Sequence, residues 1–290
     1  MRERYVAFDG RTFRVFERPA VPVERGWMLV KPLYVYVGFP ERLLYSGLEP
    51  VEVPRRIGSS CVAKVIESQG PELSGRLVVT KHLLSGRLVG LDVDGCLSTY
   101  AGVPGDLVFW LPDRAEPHYA LLPFVQHALD IAGEAYGNVL VIGCNLVGLL
   151  AALAMRDSGM EPTVYCARGI GPARRLGLRA TPKAGDLAGS YDVVAVVEAQ
   201  EGWALSALAG IRYSRLVISA LARPGRIPLP ASGRAEVVVL DDVEARGGEK
   251  LWKHCGTARE LVRVVRVRDP EEALGLLPPG GLGYVVELGE

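Results

Sequence analysis

The apolar residues from 139 to 155 form a long hydrophobic stretch that is interrupted at Gly143, Asn145 and Gly148. Residues 139–142 are apolar at every position, which is typical of a parallel strand with both faces covered by helices. The stretch is nearly long enough to cross a membrane, but two glycines and an asparagine stand where a turn is needed. We therefore predict a buried strand, a tight turn and a helix, all in the core of the protein.

Further strand-like runs follow this unit, and helix-forming segments separate them. The runs lie at 163–166, 192–197, 215–219 and 235–240, and the Ala-rich segment 202–209 is a candidate helix. Strands that alternate with helices indicate a doubly wound parallel sheet. The pattern thus predicts an α/β domain over residues 121–267, entered by a helix near 121–132.

The first 120 residues have a different sequence pattern, in which short strand-like runs are interrupted by Gly and Pro. These runs lie at 12–16, 27–37, 61–66 and 77–80, and they predict a β-rich domain over residues 1–120. Near the end of the chain, Asp269 and Pro270 provide a cap and a first residue for a helix that would reach Leu277. The strand at 284–288 is expected to return to the first domain, so that 268–290 completes it.

The turn after residue 142 resembles a dinucleotide-binding fingerprint with one glycine replaced. In that motif the first glycine makes the turn, the second admits a pyrophosphate, and the third lets helix pack on strand. Gly143 and Gly148 occupy the first and third places, and Asn145 occupies the second. Together with Leu146 and Val147 they are the candidate cofactor-binding residues. Asparagine tolerates left-handed backbone, so the turn can keep its shape while the amide either binds a phosphate or blocks it.

The charge and composition of the chain limit the kinds of partner that it is expected to bind. The chain has 33 basic and 33 acidic residues, and no long run of like charge marks a nucleic-acid or membrane surface. We expect a small-molecule substrate, with no nucleic acid and no membrane as partner. The charged N-terminus, MRERYV, lacks the apolar run of a secretory signal, which favours a cytoplasmic location.

The cysteines and the basic residues add two weaker expectations. The five cysteines have no C-x-x-C spacing, and several lie in apolar runs, so no disulfide framework is predicted. Arginine outnumbers lysine by 27 to 6, which is compatible with a thermophilic source.

Several motifs in a fixed order carry a resemblance to a known family. They lie at 36–47 (YVGFPERLLYSG), 54–65 (PRRIGSSCVAKV), 94–104, 107–113 and the turn after 142. In this order they resemble the medium-chain dehydrogenase/reductase family, which includes the zinc alcohol dehydrogenases, and the resemblance covers essentially the whole chain. It implies a GroES-like N-terminal domain, a Rossmann domain, and hydride transfer between NAD or NADP and a small substrate.

The zinc ligands that the resemblance implies are absent from the sequence. The family's catalytic Cys corresponds to Val37, its Gly-His-Glu motif to Gly58-Ser59-Ser60, and its proton-relay hydroxyl to Phe39. Residues 120–125 contain no Cys, His, Asp or Glu, and no four-cysteine lobe is present. Since Zn²⁺ needs thiolate, imidazole or carboxylate donors, we predict no zinc.

Zinc-free members of the family transfer hydride directly, with the protein supplying positioning and a hydrogen-bond donor. Tyr36 and Ser59 are the predicted catalytic donors, with Ser60 and Tyr45 as other hydroxyls in the same motifs. A structural hydroxyl is the alternative for each of them. His127 on the linking helix is a further candidate, although a lone histidine there is more often packed in the core.

The segment 164–168 bears on the choice between NAD and NADP. An acid at the end of the second strand binds the ribose hydroxyls of NAD, whereas a nearby arginine accommodates the phosphate of NADP. Ala167 stands at the family's acidic position and Arg168 follows it, with Arg174 and Arg175 close behind. We therefore predict a preference for NADP, with NAD also possible, and solvated arginines are the alternative.

Three functions are compatible with these residues. The first is a zinc-independent NADP-preferring oxidoreductase acting on a small carbonyl or activated alkene. The second is a pseudoenzyme that keeps the fold as a binding or scaffolding module. The third is a protein that binds another nucleotide-like ligand, or senses the redox state of NADP, without turnover. The strand at 215–219 favours a homodimer by edge pairing, although Pro228 and Pro230 could protect that edge.

Overall fold

The computed structural model describes residues 2–19, 24–47, 49–69, 73–187, 189–199, 202–223, 227 and 235–289. The chain divides into two compact units, one formed by Met1–Pro123 with Val243–Glu290 and the other by Phe124–Asp242. The sequence places the second boundary at 267 instead, because the segment from 243 to 267 carries no pattern that distinguishes the two units. Its strand belongs to the sheet of the first unit, as described next.

Among its described residues, the first unit is built mainly from antiparallel strands, with one parallel pair at the end of the chain and two α-helices. The strands are β1 (Arg2–Phe8), β2 (Phe13–Pro19), β3 (Trp27–Val37), β4 (Arg55–Arg56), β5 (Ser60–Ser68), β6 (Leu77–Thr80), β7 (Leu83–Leu84), β8 (Arg87–Leu88), β9 (Ala101–Pro104) and β10 (Val108–Trp110). The helix α1 (Phe39–Ser46) follows β3 directly.

The main sheet of this unit has the order β10, β6, β5, β3, with β9 also paired to β3. Two strands from the end of the chain extend it, β17 (Arg263–Val267) and β18 (Tyr284–Leu288), and β18 pairs antiparallel with β3. The helix α6 (Glu249–Leu261) precedes β17. The predicted helix after Asp269 is a 3-10 helix, Glu272–Leu276, rather than an α-helix. Asp269 nevertheless accepts the Glu271 N–H at 2.9 Å, as its capping role requires.

The second unit is a parallel sheet of six strands with the order β13, β12, β11, β14, β15, β16. Their bounds are β11 (Val139–Ile142), β12 (Thr163–Tyr165), β13 (Arg179–Thr181), β14 (Gly189–Val196), β15 (Ile211–Ser219) and β16 (Glu236–Leu240). The helices are α2 (Leu122–Gly133), α3 (Leu146–Asp157), α4 (Gly171–Arg175) and α5 (Trp203–Ala209). The predicted doubly wound parallel sheet is confirmed.

Apolar strands form the centre of this sheet. All four residues of β11 are buried, and Leu140 and Ile142 pack in one core cluster with Val194, Val196 and Leu216. Continuous burial of a strand is expected where helices cover both faces of a sheet. Among the described residues, no helix has the length and hydrophobicity that crossing a membrane requires.

The strand proposed for edge pairing does not lie at an edge. β15, which contains residues 215–219, is hydrogen-bonded to β14 on one side and to β16 on the other. On this side of the sheet the edge strand is β16, where Val237 and Val239 are 38% and 46% exposed. The sequence does not show which strand is outermost, because residues 236–240 (EVVVL) are at least as apolar as residues 215–219 (RLVIS). Pro228 and Pro230 lie outside the described residues.

Candidate functional site

The turn between β11 and α3 lies at the point where the strand order reverses. From β11 the chain winds outward to β12 and β13, and it then returns to the other side of β11 to form β14. In open α/β sheets, ligands bind in the crevice beyond the carboxyl ends of the strands at such a point. The topology therefore places the predicted fingerprint where a dinucleotide would bind.

Two glycines of the turn hold positions that a larger residue would not fit. Gly143 has φ +119°, and a Cβ added there would lie 2.6 Å from the Glu198 Cβ. A Cβ on Gly148 would overlap the Gly143 carbonyl oxygen and lie 2.9 Å from Val197 Cγ2. The first glycine thus allows the turn and the third allows close packing of helix on strand, which are the roles these positions have in the motif.

Asn145 does not adopt the left-handed backbone that the sequence led us to consider. It has φ −72° and ψ 176°, which is extended backbone, and it serves as the N-cap of α3. Its Oδ1 accepts the Gly148 N–H at 3.0 Å, and its Nδ2 donates to the Val197 carbonyl at 3.0 Å. Asparagine is therefore accommodated as a cap, a role that its short polar side chain performs in many helices.

The side chain of Asn145 is directed into the protein and is 1% exposed. Both polar atoms of its amide have protein partners, Gly148 in α3 and Val197 after β14, so the amide is not placed to bind a phosphate. The cap uses the Gly148 N–H, which leaves the N–H groups of Leu146 and Val147 in the first turn of α3. The first N–H groups of a helix have no intrahelical acceptor and form a natural site for anions.

The residues predicted to determine the preference between NAD and NADP lie at and after the end of β12. Cys166 is buried, Ala167 is half-buried, and Arg168 is exposed. Arg174 and Arg175 are also exposed and belong to α4, the short helix that follows. The guanidinium groups therefore follow the strand end where an acid would bind the ribose of NAD.

A disulfide bond joins Cys144 to Cys166, with the two Cα atoms 5.3 Å apart. The spacing of the cysteines in the sequence did not predict this bond. They are 22 residues apart in sequence and form no spacing motif, but they follow adjacent parallel strands and so come together in space. Cys61, Cys96 and Cys255 are free and buried.

Tyr36, one of the two predicted catalytic residues, lies near the end of β3. Its side chain is 1% exposed, and its hydroxyl donates to the carbonyl of Leu282 at 2.6 Å. Burial raises the pKa of the Tyr36 phenol above its ordinary value. The hydroxyl therefore ties β3 to the turn before β18 in the described conformation.

Ser59, the other predicted catalytic residue, is fully buried just before β5. Its Oγ lies 3.0 and 3.1 Å from the two carboxyl oxygens of Glu41. Ser60 is also buried, and its Oγ donates to the carbonyl of Thr80 at 2.7 Å. Tyr45 is half-exposed, with its ring stacked on Phe13. Of these hydroxyl-bearing side chains, only that of Tyr45 is substantially exposed.

Glu41 is the residue of this region that the sequence analysis overlooked. Its buried carboxyl accepts the N–H of Gly38 at 2.6 Å and that of Gly58 at 3.0 Å, in addition to the Ser59 hydroxyl. Burial raises the pKa of this carboxyl. The signal was present, because an acid at the third helical position after a cap is half of a capping box. Glu41 therefore joins the start of α1 to the segment before β5.

The positions that hold zinc in the resembled family do not fit the metal here. Val37 is apolar and buried, and Ser59 is bonded to Glu41. In the part of the chain that the structure describes, no three or more His, Cys, Asp or Glu side chains form a group that could hold a metal ion. The donor set needed for catalytic Zn²⁺ is thus missing from these motifs.

His127 occupies the core of the second unit on α2. Its side chain is fully buried, and its Nε2 lies 2.8 Å from the Oγ of Ser219. Burial lowers the pKa of His127 to about 4, so its ring is neutral at pH 7. The histidine thus links α2 to the end of β15 by a buried hydrogen bond.

No protein-family model and no curated protein sequence matches this chain. Solved structures match it over nearly its whole length. A protein from Sinorhizobium meliloti 1021 classed as a zinc-binding dehydrogenase and bound to NADP is 18% identical, with a TM-score of 0.71 over 99% of each chain. A thermostable alcohol dehydrogenase from Pyrobaculum aerophilum with bound cobalt and zinc is 20% identical, with a TM-score of 0.68 over 99% of this chain and 100% of the other.

An acetophenone reductase from Geotrichum candidum in complex with NAD is also similar. It is 15% identical, with a TM-score of 0.70 over 100% of this chain and 97% of the other. Similarity at these identities establishes the fold. The chain therefore has the fold of the medium-chain dehydrogenases and reductases, with a β-rich GroES-like unit and a Rossmann unit, as the resemblance in its motifs implied.

Proposed function

We propose that this chain is a zinc-independent oxidoreductase that binds NADP at the turn between β11 and α3. Its substrate would be a small carbonyl compound or an activated alkene. The observation that carries the proposal is the pair of glycines at the reversal of strand order, since neither position admits a side chain. The proteins of the same fold with bound NADP or NAD support it.

The residues of the turn have distinct tasks in this proposal. The N–H groups of Leu146 and Val147 would hold the pyrophosphate, and the partial positive charge of the α3 N-terminus would assist them. Gly143 allows the tight turn, and Gly148 allows α3 to pack closely against the sheet. Asn145 fixes the first turn of the helix by its two side-chain hydrogen bonds. A bound nicotinamide would supply the hydride, and the protein would supply binding and orientation.

The preference for NADP over NAD rests on the end of β12. The side chain of Ala167 cannot accept hydrogen bonds from ribose hydroxyls, and it does not repel a phosphate as an acid would. Arg168 is exposed next to it, and Arg174 and Arg175 add positive charge on α4. Arginine binds phosphate oxygens by charge-assisted hydrogen bonds. This set of side chains favours a 2′-phosphate over a free hydroxyl.

The catalytic roles of Tyr36 and Ser59 stay predictions. Each hydroxyl would have to leave its present acceptor, Leu282 or Glu41, before it could polarise a substrate. Their burial and short hydrogen bonds favour positioning roles, in which they fix the ends of β3 and β5. Hydride transfer to an alkene or carbonyl in this protein would then depend mainly on orientation of the two reactants.

A binding module without turnover is the second candidate, and Asn145 is the observation that favours it. The asparagine replaces the glycine through which backbone usually approaches the pyrophosphate, and its cap removes the Gly148 N–H from the available donors. This chain also lacks the zinc donors of the resembled motifs and an acid at position 167. A scaffold or sensor needs none of these groups.

An assay of NADPH turnover distinguishes the oxidoreductase from the binding module. The protein would be dialysed against chelator, analysed for metal, and incubated with NADPH and a panel of small ketones, aldehydes, enones and quinones. We expect loss of NADPH absorbance with at least one class and the same rate after dialysis. A panel without turnover, in a protein that binds NADPH, would support the sensor or scaffold. Loss of activity that only added Zn²⁺ restores would contradict zinc independence.

A further inference from the structure

The disulfide bond between Cys144 and Cys166 crosses the proposed cofactor site. Cys144 lies between Gly143 and Asn145 in the phosphate-binding turn, and Cys166 follows β12 directly before Ala167. The bond thus connects the turn expected to hold the pyrophosphate with the strand end expected to hold the ribose. Neither the fold nor its fingerprint requires cysteine at these positions.

The two cysteines are held next to each other by backbone that does not depend on the bond. Ile142 is paired with Tyr165 in the parallel ladder, and the Gly143 N–H donates to the Tyr165 carbonyl at 3.0 Å. The Cys166 N–H donates to the Thr181 carbonyl at 2.9 Å. The Cα separation of 5.3 Å lies within the range of disulfide bonds, about 4.4–6.8 Å. After reduction the thiols would remain neighbours, so the bond could form again.

The two cysteines differ in exposure. Cys144 is only partly buried, whereas Cys166 is 1% exposed. Attack by a small thiolate is therefore expected at the Cys144 sulfur, with Cys166 as the leaving group. Cys61, Cys96 and Cys255, in contrast, are buried as free thiols. Among the described cysteines, chemistry with small thiols is thus directed to this pair.

We propose that Cys144 and Cys166 form a reversible redox site that fixes the backbone of the cofactor-binding turn in its oxidised state and releases it when reduced. The co-reactant is a low-molecular-weight thiol. Its thiolate forms a bond to the Cys144 sulfur as the Cys144–Cys166 bond breaks, and the Cys166 thiolate takes up a proton. A second thiol then attacks the mixed disulfide, leaving the Cys144 thiol and the oxidised small disulfide. Two electrons and two protons reach the protein, and the small disulfide reverses the reaction.

The expected effect on the turn follows from its conformation. Gly143 holds φ +119°, and glycine has more backbone freedom to lose than any other residue. A bond from the adjacent Cys144 to β12 restricts that freedom, so the N–H groups of Leu146 and Val147 stay in place. Preorganised donors bind more tightly because less ordering accompanies binding. This part of the inference rests on the proposed cofactor site, and reduction should weaken dinucleotide binding.

Thiol counting, thermal unfolding and hydrogen exchange test the redox site without any cofactor. With five cysteines in the chain, the oxidised protein should show three thiols after denaturation and the reduced protein five. Reduction should lower the Tm by about 10 °C, as expected for a bond that closes a loop of this length. Amide exchange in the peptide over 143–150 should accelerate. An oxidised small disulfide should restore all three properties.

The variant Cys144→Ser should behave like the reduced protein and should not respond to reductant. Cys255→Ala is the matched control, because it removes a free thiol of the first unit and should keep the response. NADPH affinity should be at least fivefold lower in the reduced protein. Five thiols after treatment with the oxidised small disulfide, or identical exchange of 143–150 in both states, would overturn the redox site. If the thiol count, the Tm and the amide exchange all change on reduction but neither redox state binds NADPH, the redox site is supported and the proposed function is contradicted.

Discussion

At the scale of single residues, the two glycines of the turn are defined by the atoms around them. Gly148 lies in α3 against the Gly143 carbonyl oxygen and Val197. We predict that Gly148→Ala destabilises the protein by about 2 kcal/mol, because the added methyl group forces helix and strand apart. Gly256 in α6 has no neighbour that an added Cβ would meet within 4 Å, so Gly256→Ala should instead stabilise by up to about 1 kcal/mol. Urea unfolding of both variants measures the difference, and equal effects would contradict the packing argument.

Two substitutions of Asn145 distinguish a helix-capping role of this residue from obstruction of the proposed cofactor site. We predict that Asn145→Ala lowers stability by about 1–2 kcal/mol, because it removes the acceptor of the Gly148 N–H and the donor to the Val197 carbonyl. Asn145→Asp keeps the acceptor but places a negative charge near the proposed pyrophosphate. The aspartate variant should therefore bind NADPH about tenfold more weakly than the alanine variant. A marked gain of affinity in Asn145→Ala would mean that the asparagine obstructs the site.

The lowered pKa of His127 predicts how the free energy of unfolding depends on pH. Its pKa in the folded protein is lowered to about 4 by burial, so the neutral ring stabilises the fold above about pH 6.5. That contribution is lost as the pH falls toward 4 and amounts to about 2 kcal/mol between pH 7.5 and 5. His127→Gln can still bond to Ser219 but cannot titrate. Its stability should fall about 2 kcal/mol less than that of the wild type over this interval, and parallel profiles would contradict the assignment.

At the scale of secondary-structure elements, Glu41 connects α1 to the segment before β5. Glu41→Ala leaves the N–H groups of Gly38 and Gly58 without their carboxyl acceptor, and we expect a loss of about 3 kcal/mol or more. Ser59→Ala removes one hydroxyl and leaves those two bonds, so we expect only about 1 kcal/mol. The second variant also tests a catalytic role. If Ser59 polarises the substrate, kcat should fall at least a hundredfold with a small loss of stability.

The elements that the sequence predicts well are those whose pattern is local. The continuous burial of β11 and the glycines after it are readable in the chain, and so is the alternation that produces the parallel sheet. Contacts between distant segments are not readable. The Cys144–Cys166 bond depends on the neighbouring ends of β11 and β12, and the carboxyl of Glu41 depends on a loop near Gly58. Neither association leaves a periodic signal.

At the scale of the whole molecule, similarity to solved structures establishes the fold. The activity is proposed from the residues of the candidate site. The same fold occurs in a structure with bound cobalt and zinc and in structures with bound NADP or NAD. Fold alone does not determine function, because function depends on particular groups grafted onto it. Here those groups are the two glycines, the capped helix start and the arginines after β12. A homodimer stays a prediction, but residues 215–219 cannot pair two copies at a sheet edge because β15 lies between β14 and β16.

Calorimetric titration with NADPH and NADH tests the central claim most directly, with Arg168→Ala and Arg212→Ala as matched variants. Arg212 is also exposed but lies at the start of β15, at the opposite end of the parallel strands. We predict micromolar binding of NADPH, weaker binding of NADH by about tenfold or more, and loss of this preference in Arg168→Ala alone. Absence of binding by either dinucleotide, in oxidised and folded protein, would contradict the account.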